Sequence, residues 1–189
     1  MEQLAKLFGE ASRLKTLRLF VFNQDTAFAP PEVADRLKLS RGTARKEIAV
    51  LLSAGLLRKK NKSAPVRYQA DPRFTHFEAL ETFIRDTTSA SPQDILKALR
   101  RAGTLQLVAL SGLFTGADDS QIDLLVVGDH LKQSALARAV KGLEAELGRE
   151  IRYAFFATAD FRYRHGVYDR LIRDVLDYPH RLLIDKIGL

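Results

Sequence analysis

The sequence predicts an α+β chain in two parts, and three observations carry that expectation. Apolar residues recur at helical spacing through the first half, in runs around 4–22, 33–39 and 44–52. Two short apolar runs, 105–110 and 122–127, stand among helical stretches in the second half, as strands of a small sheet would. Charge is unevenly shared: residues 1–88 hold sixteen bases and ten acids, residues 89–189 fourteen and thirteen. A chain of 189 residues, 46% apolar and 28% charged, can bury a core in each part. The expected domains are 1–88 and 89–189, divided at the small, polar, proline-ended stretch Thr87-Thr88-Ser89-Ala90-Ser91-Pro92.

Composition removes several classes of function. With no cysteine there is no disulfide, thiolate metal site or cysteine nucleophile, and the four histidines (76, 130, 165 and 180) are scattered. No run approaches the ~18 apolar residues of a membrane span. Met1-Glu2-Gln3-Leu4-Ala5-Lys6 lacks the apolar core of a secretion signal, so the expected location is the cytoplasm, with no membrane partner.

In the first half, Leu4, Leu7 and Phe8 begin an apolar stripe, Gly9 interrupts it, and Leu14, Leu17, Leu19, Phe20 and Phe22 resume it. Pro30-Pro31 suits the first turn of a second helix, where the missing N–H costs nothing, and Val33, Ala34, Leu37 and Leu39 give it a buried face. Ser40 reads as the N-cap of a third helix, with Ala44, Ile48, Leu51 and Leu52 inward and Gly42, Thr43 and Lys46 outward, flanked by Arg41 and Arg45. Leu56 to Lys60 and Val66 to Ala70 follow as two strands joined across Asn61-Lys62-Ser63-Ala64-Pro65, and Phe74, Phe77, Leu80 and Ile84 mark a further helix suited to a dimer contact.

Helix, turn, basic helix and basic hairpin in that order are the arrangement of a winged helix-turn-helix domain, whose second helix enters the major groove. Arg36 to Arg67 contains ten Lys or Arg against one acid, Glu47. Charge confined to one surface is the footprint of phosphate neutralisation. Arg41, Gly42, Thr43, Arg45 and Lys46 are the candidates to approach base edges, and Lys59, Lys60, Lys62 and Arg67 to contact phosphate or the minor groove. The competing reading is an amphipathic helical domain with a solvated basic face, and a third is a wing that contacts protein.

The second half reads as a small α/β domain. A helix from Pro92 ends at Gly103, and strands 105–110 and 122–127 flank a glycine-punctuated connection. A helix near 131–147, a strand near 150–157, a single helix 159–176 and a last strand 180–184 complete it. On that single helix Arg162, Tyr163, Arg164, His165, Tyr168, Arg170 and Arg173 cluster, with Asp160, Asp169 and Asp174 as partners at helical spacing. The cluster is either a nucleic-acid or acidic-partner surface, or a solvated or internally paired helix face.

The strand, the glycine loop from Ser111-Gly112 to Gly116 and the strand opening at Gln121-Ile122-Asp123 resemble the minimal nucleotidyltransferase fold of the DNA polymerase beta superfamily. Together with Leu7-Phe8-Gly9, the run Arg13 to Phe20, and Gly148-Arg149-Glu150-Ile151, the chain resembles winged-helix regulators fused to such a domain. The family's motif is a Gly-Ser pair, then Asp-x-Asp on the next strand, with a third carboxylate from a later strand. The resemblance implies Mg²⁺ on the carboxylates and a nucleotide triphosphate gripped by loop amides and the serine.

This chain departs from that motif at each point. The Gly-Ser pair is inverted to Ser111-Gly112, Gln121 stands at the first carboxylate of Asp-x-Asp and leaves only Asp123, and Arg152 and Tyr153 stand near the third. Asp118 and Asp119 are the nearby acids that could substitute. Ser111, Gly112, Gly116, Gln121 and Asp123 are thus the candidate remnant of a nucleotide or metal site, with Asp123 either a former metal ligand or a buried carboxylate held by loop amides. The expectation is a sequence-specific, double-stranded DNA-binding transcriptional regulator and homodimer. Its second domain is expected to be catalytically inactive, to need no cofactor, and to serve as a sensor of a nucleotide effector or as an interaction module. The alternative is an active Mg-dependent nucleotidyltransferase carried to its target by the winged helix.

Overall fold

A computed structural model describes residues 2–61, 64–88, 90–116 and 120–189, with side chains from residue 4 onward. The fold is α+β with two separate sheets. It divides into two compact units, Met1–Ala90 with Glu144–Arg149, and Ser91–Leu143 with Glu150–Leu189.

The first unit opens with α1 (Glu2–Leu7) and α2 (Ala11–Phe22), separated at Gly9, where φ is +89°. That value lies in the left-handed region that glycine enters without strain. Leu14, Leu17, Leu19, Phe20 and Val21 are all at most 2% exposed, so α2 is buried around most of its circumference. Leu7, by contrast, is 73% exposed, because α1 meets the core through Leu4, Ala5 and Phe8 and leaves Leu7 off that face. Arg18 is buried on α2 and its Nη1 donates to the Glu146 carbonyl at 3.0 Å. Asn23 Nδ2 donates to the Gly148 carbonyl at 2.9 Å. A Cβ on Gly148 would lie 2.7 Å from the Arg18 backbone, so this approach requires glycine.

α3 (Pro30–Leu37) begins with its two prolines, and the Glu32 carboxylate accepts from the Ala29 N–H at 2.7 Å. Lys38, with φ of 54°, ends it and turns the chain into α4 (Arg41–Ser53). Ser40 Oγ accepts from the Thr43 N–H at 3.0 Å, the N-cap expected from the sequence. Ala44, Ile48 and Leu51 pack inward with Val33, Ala34 and Leu37 of α3 and the α2 core. Each fully buried aliphatic or phenyl side chain of this kind contributes about 1.5–3 kcal/mol.

The hairpin of β1 (Leu57–Lys59) and β2 (Tyr68–Ala70) is shorter than the runs predicted, with Leu57 opposite Ala70 and Lys59 opposite Tyr68. Phe28 adds a one-residue bridge to Tyr68, exchanging N–H···O bonds of 2.8 and 2.9 Å. α5 (Phe77–Thr87) closes this unit on Phe77 and Ile84.

The second unit contains α6 (Pro92–Leu99), β3 (Thr104–Leu110), β4 (Leu124–Asp129), α7 (Gln133–Leu147, whose last residues count with the first unit), β5 (Tyr153–Phe156), α8 (Thr158–Gly166), α9 (Arg170–Leu176) and β6 (Arg181–Asp185). The sheet order is β5-β4-β3-β6, antiparallel at β4/β3 and β3/β6 and parallel at β4/β5. Leu107, Ala109, Leu125 and Val127 face Phe161, Ile172 and Val175. Val108, Leu110, Leu124 and Val126 on the opposite side are also at most 3% exposed, which is why these strands read as continuous apolar runs.

The single helix expected over 159–176 is two. Tyr168 takes φ of 58°, and Asp169 Oδ1 accepts from the Leu171 and Ile172 N–H groups at 3.0 and 3.4 Å, capping a new helix. No described helix is long and apolar enough to cross a membrane.

One carboxylate on α4 tests this packing. Glu47 is completely buried, accepting from Arg13 Nε at 3.0 Å and Ser12 Oγ at 2.9 Å. Glu47→Ala removes an acceptor from both donors, which keep only Glu10 and the Phe8 carbonyl, and urea unfolding is expected to show a loss of about 2 kcal/mol. A loss below about 1 kcal/mol would mean that the pair does not hold α4 against α2.

Candidate functional site

Two sets of residues carry chemistry, one in each unit. In the first, the outward side of α4 presents Arg41, Gly42 and Arg45, all exposed, and β1 with the residue after it presents Lys59 and Lys60, also exposed. Arg41, Arg45, Lys59 and Lys60 make no side-chain hydrogen bond or ion pair among the described residues. Four cations whose hydrogen-bonding capacity is left to solvent suit an anionic partner, because binding need not first break an internal pair.

The remaining sequence candidates are placed differently. Thr43 is half-buried and its hydroxyl shares a 2.8 Å hydrogen bond with Ser40 Oγ. Lys46 Nζ lies 2.9 Å from Glu10 Oε1, both side chains about half exposed. The Lys46 ammonium hydrogen bond holds the Glu10 carboxyl below its ordinary pKa. Such an exposed pair is worth little, so Lys46 can exchange Glu10 for a stronger anion.

Arg67 is committed to the protein. Its two terminal nitrogens donate to the Glu32 carboxylate at 2.9 and 2.7 Å, and one also reaches the Ala27 carbonyl at 2.8 Å. It fastens the hairpin to the start of α3. Lys62 lies outside the described residues.

In the second unit, Gly112 and Leu113 of the glycine loop close on the Asp123 carboxylate. It is 2% exposed and sits immediately before β4. Its Oδ1 accepts from the Leu113 N–H at 2.9 Å and Arg152 Nη2 at 2.8 Å. Its Oδ2 accepts from the Arg152 N–H at 2.8 Å and Arg152 Nε at 3.0 Å. Burial raises the Asp123 pKa, but the Arg152 guanidinium and the two amides outweigh it and hold the carboxyl below its ordinary range. Gly112, with φ of 47°, lies so close that a Cβ there would be 2.2 Å from Oδ1.

Ser111 is buried too. Its hydroxyl lies 3.2 Å from Ser120 Oγ and 3.3 Å from the Pro179 carbonyl, either of which can take its one hydrogen. Gln121 is exposed, and its backbone N–H donates to Asp174 at 2.8 Å. Gly116 is exposed with open space around it, and Asp118 and Asp119 lie outside the described residues.

These residues do not fit Mg²⁺. A divalent cation needs anionic oxygens with room for it, whereas both Asp123 oxygens are taken by two donors each and Arg152 holds a positive charge against them. Of the two sequence readings of Asp123, the geometry favours the buried, satisfied carboxylate, with a guanidinium added to the expected amides.

The arginine and tyrosine cluster is split: Arg164 on α8 and Arg173 on α9 are paired internally, Tyr168 lies between the two helices, and Arg162, Tyr163 and Arg170 are exposed. Arg164 bonds Asp160 and Asp169, each at 3.1 Å, and its guanidinium lies 5.1 Å from the Phe156 ring centre. Arg173 bonds Asp177 at 2.7 Å. Asp174, expected to pair on the same helix, holds the Ser120–Gln121 turn instead.

Three features escaped sequence reasoning: the Arg13–Glu47 pair, the Arg67–Glu32 clamp and the Arg152–Asp123 pair. Each joins residues at least 29 positions apart. The available signal was a lone acid in a basic or apolar setting, which needs a cation if it is buried.

The Asp123 pair has a signed pH consequence. Because the folded pKa lies below the unfolded one, its stabilisation is complete above the ordinary aspartate value and is lost as pH falls through the folded value. Wild type is expected to exceed Asp123→Asn by about 2 kcal/mol at pH 7, a gap that shrinks below about pH 4. Urea unfolding followed by circular dichroism between pH 7 and pH 3 measures it, and a gap independent of pH contradicts the pairing.

Comparison of the chain with protein-family models, with curated proteins and with solved structures finds no match.

Proposed function

We propose that the chain is a sequence-specific, double-stranded DNA-binding regulator of transcription. It has an N-terminal winged helix-turn-helix domain and a C-terminal nucleotidyltransferase-like domain that does not transfer nucleotides. The observation that carries this is the placement of Arg41, Arg45, Lys59 and Lys60, exposed and without internal partners, on a capped helix and the hairpin that follows it. α3, the turn at Lys38 to Ser40, and α4 supply the helix-turn-helix, and β1–β2 supply the wing.

The outward side of α4 also carries Gly42 and Ala49, both exposed. Small side chains there let the helix backbone come close to base edges while Arg45 reaches past them. Lys59 and Lys60 on the wing meet phosphate, a contribution blind to sequence. Lys46 joins either set by releasing Glu10. Burial of Glu47 supports the same reading, since the one acid of this stretch is turned inward, and the carboxylate that meets the outward bases is Glu10, at Lys46.

Leu7 and Phe83 are exposed on α1 and α5, 73% and 38%, with Phe83 beside Phe8 at a 6.3 Å ring separation. This apolar patch suits a second copy of the chain, as a two-fold operator requires. In the second unit the saturation of Asp123 by Arg152 speaks against Mg-dependent transfer and for a sensor or interaction module, with a nucleotide as the effector to test. A cytoplasmic location goes with that role.

Fluorescence anisotropy on a duplex from upstream of the coding sequence, beside a scrambled duplex, at about 50 and 200 mM salt tests the proposal. Arg45→Ala is expected to reduce the preference between duplexes by about 1–3 kcal/mol. Lys60→Ala is expected to weaken both duplexes alike and make the salt slope shallower by about 1. Asp123→Asn, measured where it is folded, leaves both quantities unchanged. Equal affinity for the two duplexes at every salt concentration would overturn sequence-specific regulation.

A further inference from the structure

The second unit has a cluster of cations of its own. Lys97 lies in the last turn of α6, and Arg100 and Arg101 follow in the tight 3-10 turn that ends at Ala102. Lys97 and Arg101 are four residues apart, so they share a side where the helical path continues. The segment entering α7 brings up a fourth base, because the Lys132 N–H donates to the Ala102 carbonyl at 2.7 Å. Gly103 makes this approach possible: a Cβ there would lie 2.9 Å from the His130 carbonyl oxygen.

All four bases are exposed, and none makes a side-chain hydrogen bond or ion pair among the described residues. The acids nearest in sequence are engaged elsewhere. Asp94 accepts from Ser91 Oγ at 2.7 Å, and Asp129 from Gln106 Nε2 at 3.2 Å. Arg152, Arg164 and Arg173 of the same unit are each paired with a carboxylate, and its other bare cations, Arg138, Lys141, Arg162, Arg170, Arg181 and Lys186, are spread over α7, α8, α9 and the β6 region, whereas these four come from two segments joined at Ala102 and Lys132.

What surrounds them selects the partner. A protein interface is anchored by buried apolar or aromatic side chains. Among the described residues the large exposed apolar side chains are Leu7, Phe83, Tyr163, Val167, Tyr168, Tyr178, Leu182 and Leu189, and none of them lies on the segments that carry these four bases. A surface of bare cations without an apolar anchor fits a phosphate backbone, whose recognition needs charge and little else.

We propose that Lys97, Arg100, Arg101 and Lys132 form a second phosphate-contact surface, through which the C-terminal unit binds double-stranded DNA without reading its sequence. For its partner the proposal rests on the DNA-binding reading of the first unit. It gives the C-terminal unit a task that requires no nucleotide chemistry.

The test uses the full chain and a scrambled duplex, with anisotropy read from about 50 to 200 mM salt. Arg100→Ala/Arg101→Ala/Lys132→Ala is expected to make the slope of log affinity against log salt shallower by about 2–3, at about 0.9 per lost phosphate contact. The preference for the upstream duplex stays as in wild type. Arg100→Lys/Arg101→Lys keeps the slope, and removing equal charge by Arg138→Ala/Lys141→Ala/Lys186→Ala leaves it unchanged.

An unchanged slope in the first variant, or an equal drop in the Arg138 set, overturns the second surface. If that happens while Arg41→Ala/Arg45→Ala still weakens binding, the first unit's role stands alone. The opposite pattern removes the first unit's role and keeps the second surface, and a wild-type chain that binds neither duplex removes both.

Discussion

A carboxylate with no access to water decides which side of α4 faces out. Glu47 lies at the edge of the helix's apolar face, where a charged side chain would ordinarily turn to solvent. Arg13 and Ser12 of α2 give it two donors inside, and that fixes the rotation of α4 about its axis as firmly as Ala44, Ile48 and Leu51 do. Were Glu47 to turn outward, it would carry a negative charge toward Arg45 and Lys46 and the buried side would lose its partner for Arg13. The proposed recognition surface therefore depends on an interaction at the back of the helix that presents it.

The second unit uses the same device at Asp123. There the buried carboxylate ties together the start of the loop after β3, through Leu113, and the entry to β5, through Arg152. A catalytic carboxylate has to keep lone pairs available for a cation, whereas a structural one is most stable when every lone pair is filled. Asp123 belongs to the second kind by geometry. The position that reads as a metal ligand in the sequence is the joint that closes its own loop, and that joint leaves no room for a side chain at Gly112.

Much of this was legible from residue order, and the remainder has a common cause. The Ser40 cap, the Pro30-Pro31 start, the inward set on α4 and the apolar strands follow from local rules, so local patterns found them. Leu7 misled because spacing alone does not reveal that Leu4, Ala5 and Phe8 make the contact of α1 with the core and leave Leu7 outside it. The Phe28–Tyr68 bridge is a single residue and leaves no periodicity. The break between α8 and α9 was signalled by Gly166 and the capping Asp169, but the surrounding charged residues continue a helical pattern through Tyr168. At the candidate sites, residue identity pointed to Arg67 and Lys46 as readily as to Arg45 and Lys60. Only their distances to Glu32 and Glu10 distinguish a clamp, an exchangeable pair and an unpartnered cation.

That distinction gives the charge of this chain its meaning. A net charge of +7 says little by itself, since a cation held against a carboxylate contributes almost no field beyond a Debye length of about 10 Å. Arg13, Arg67, Arg152, Arg164 and Arg173 are spent in this way on holding elements together. Arg41, Arg45, Lys59 and Lys60 in the first unit, and Lys97, Arg100, Arg101 and Lys132 in the second, are left facing water. Arginine's planar fork is suited to the first task and any exposed cation to the second, so arginine predominates among the paired cations, beside Lys15 and Lys46, while these eight unpaired ones are half lysine. A phosphate backbone would meet charge that costs the fold nothing to surrender.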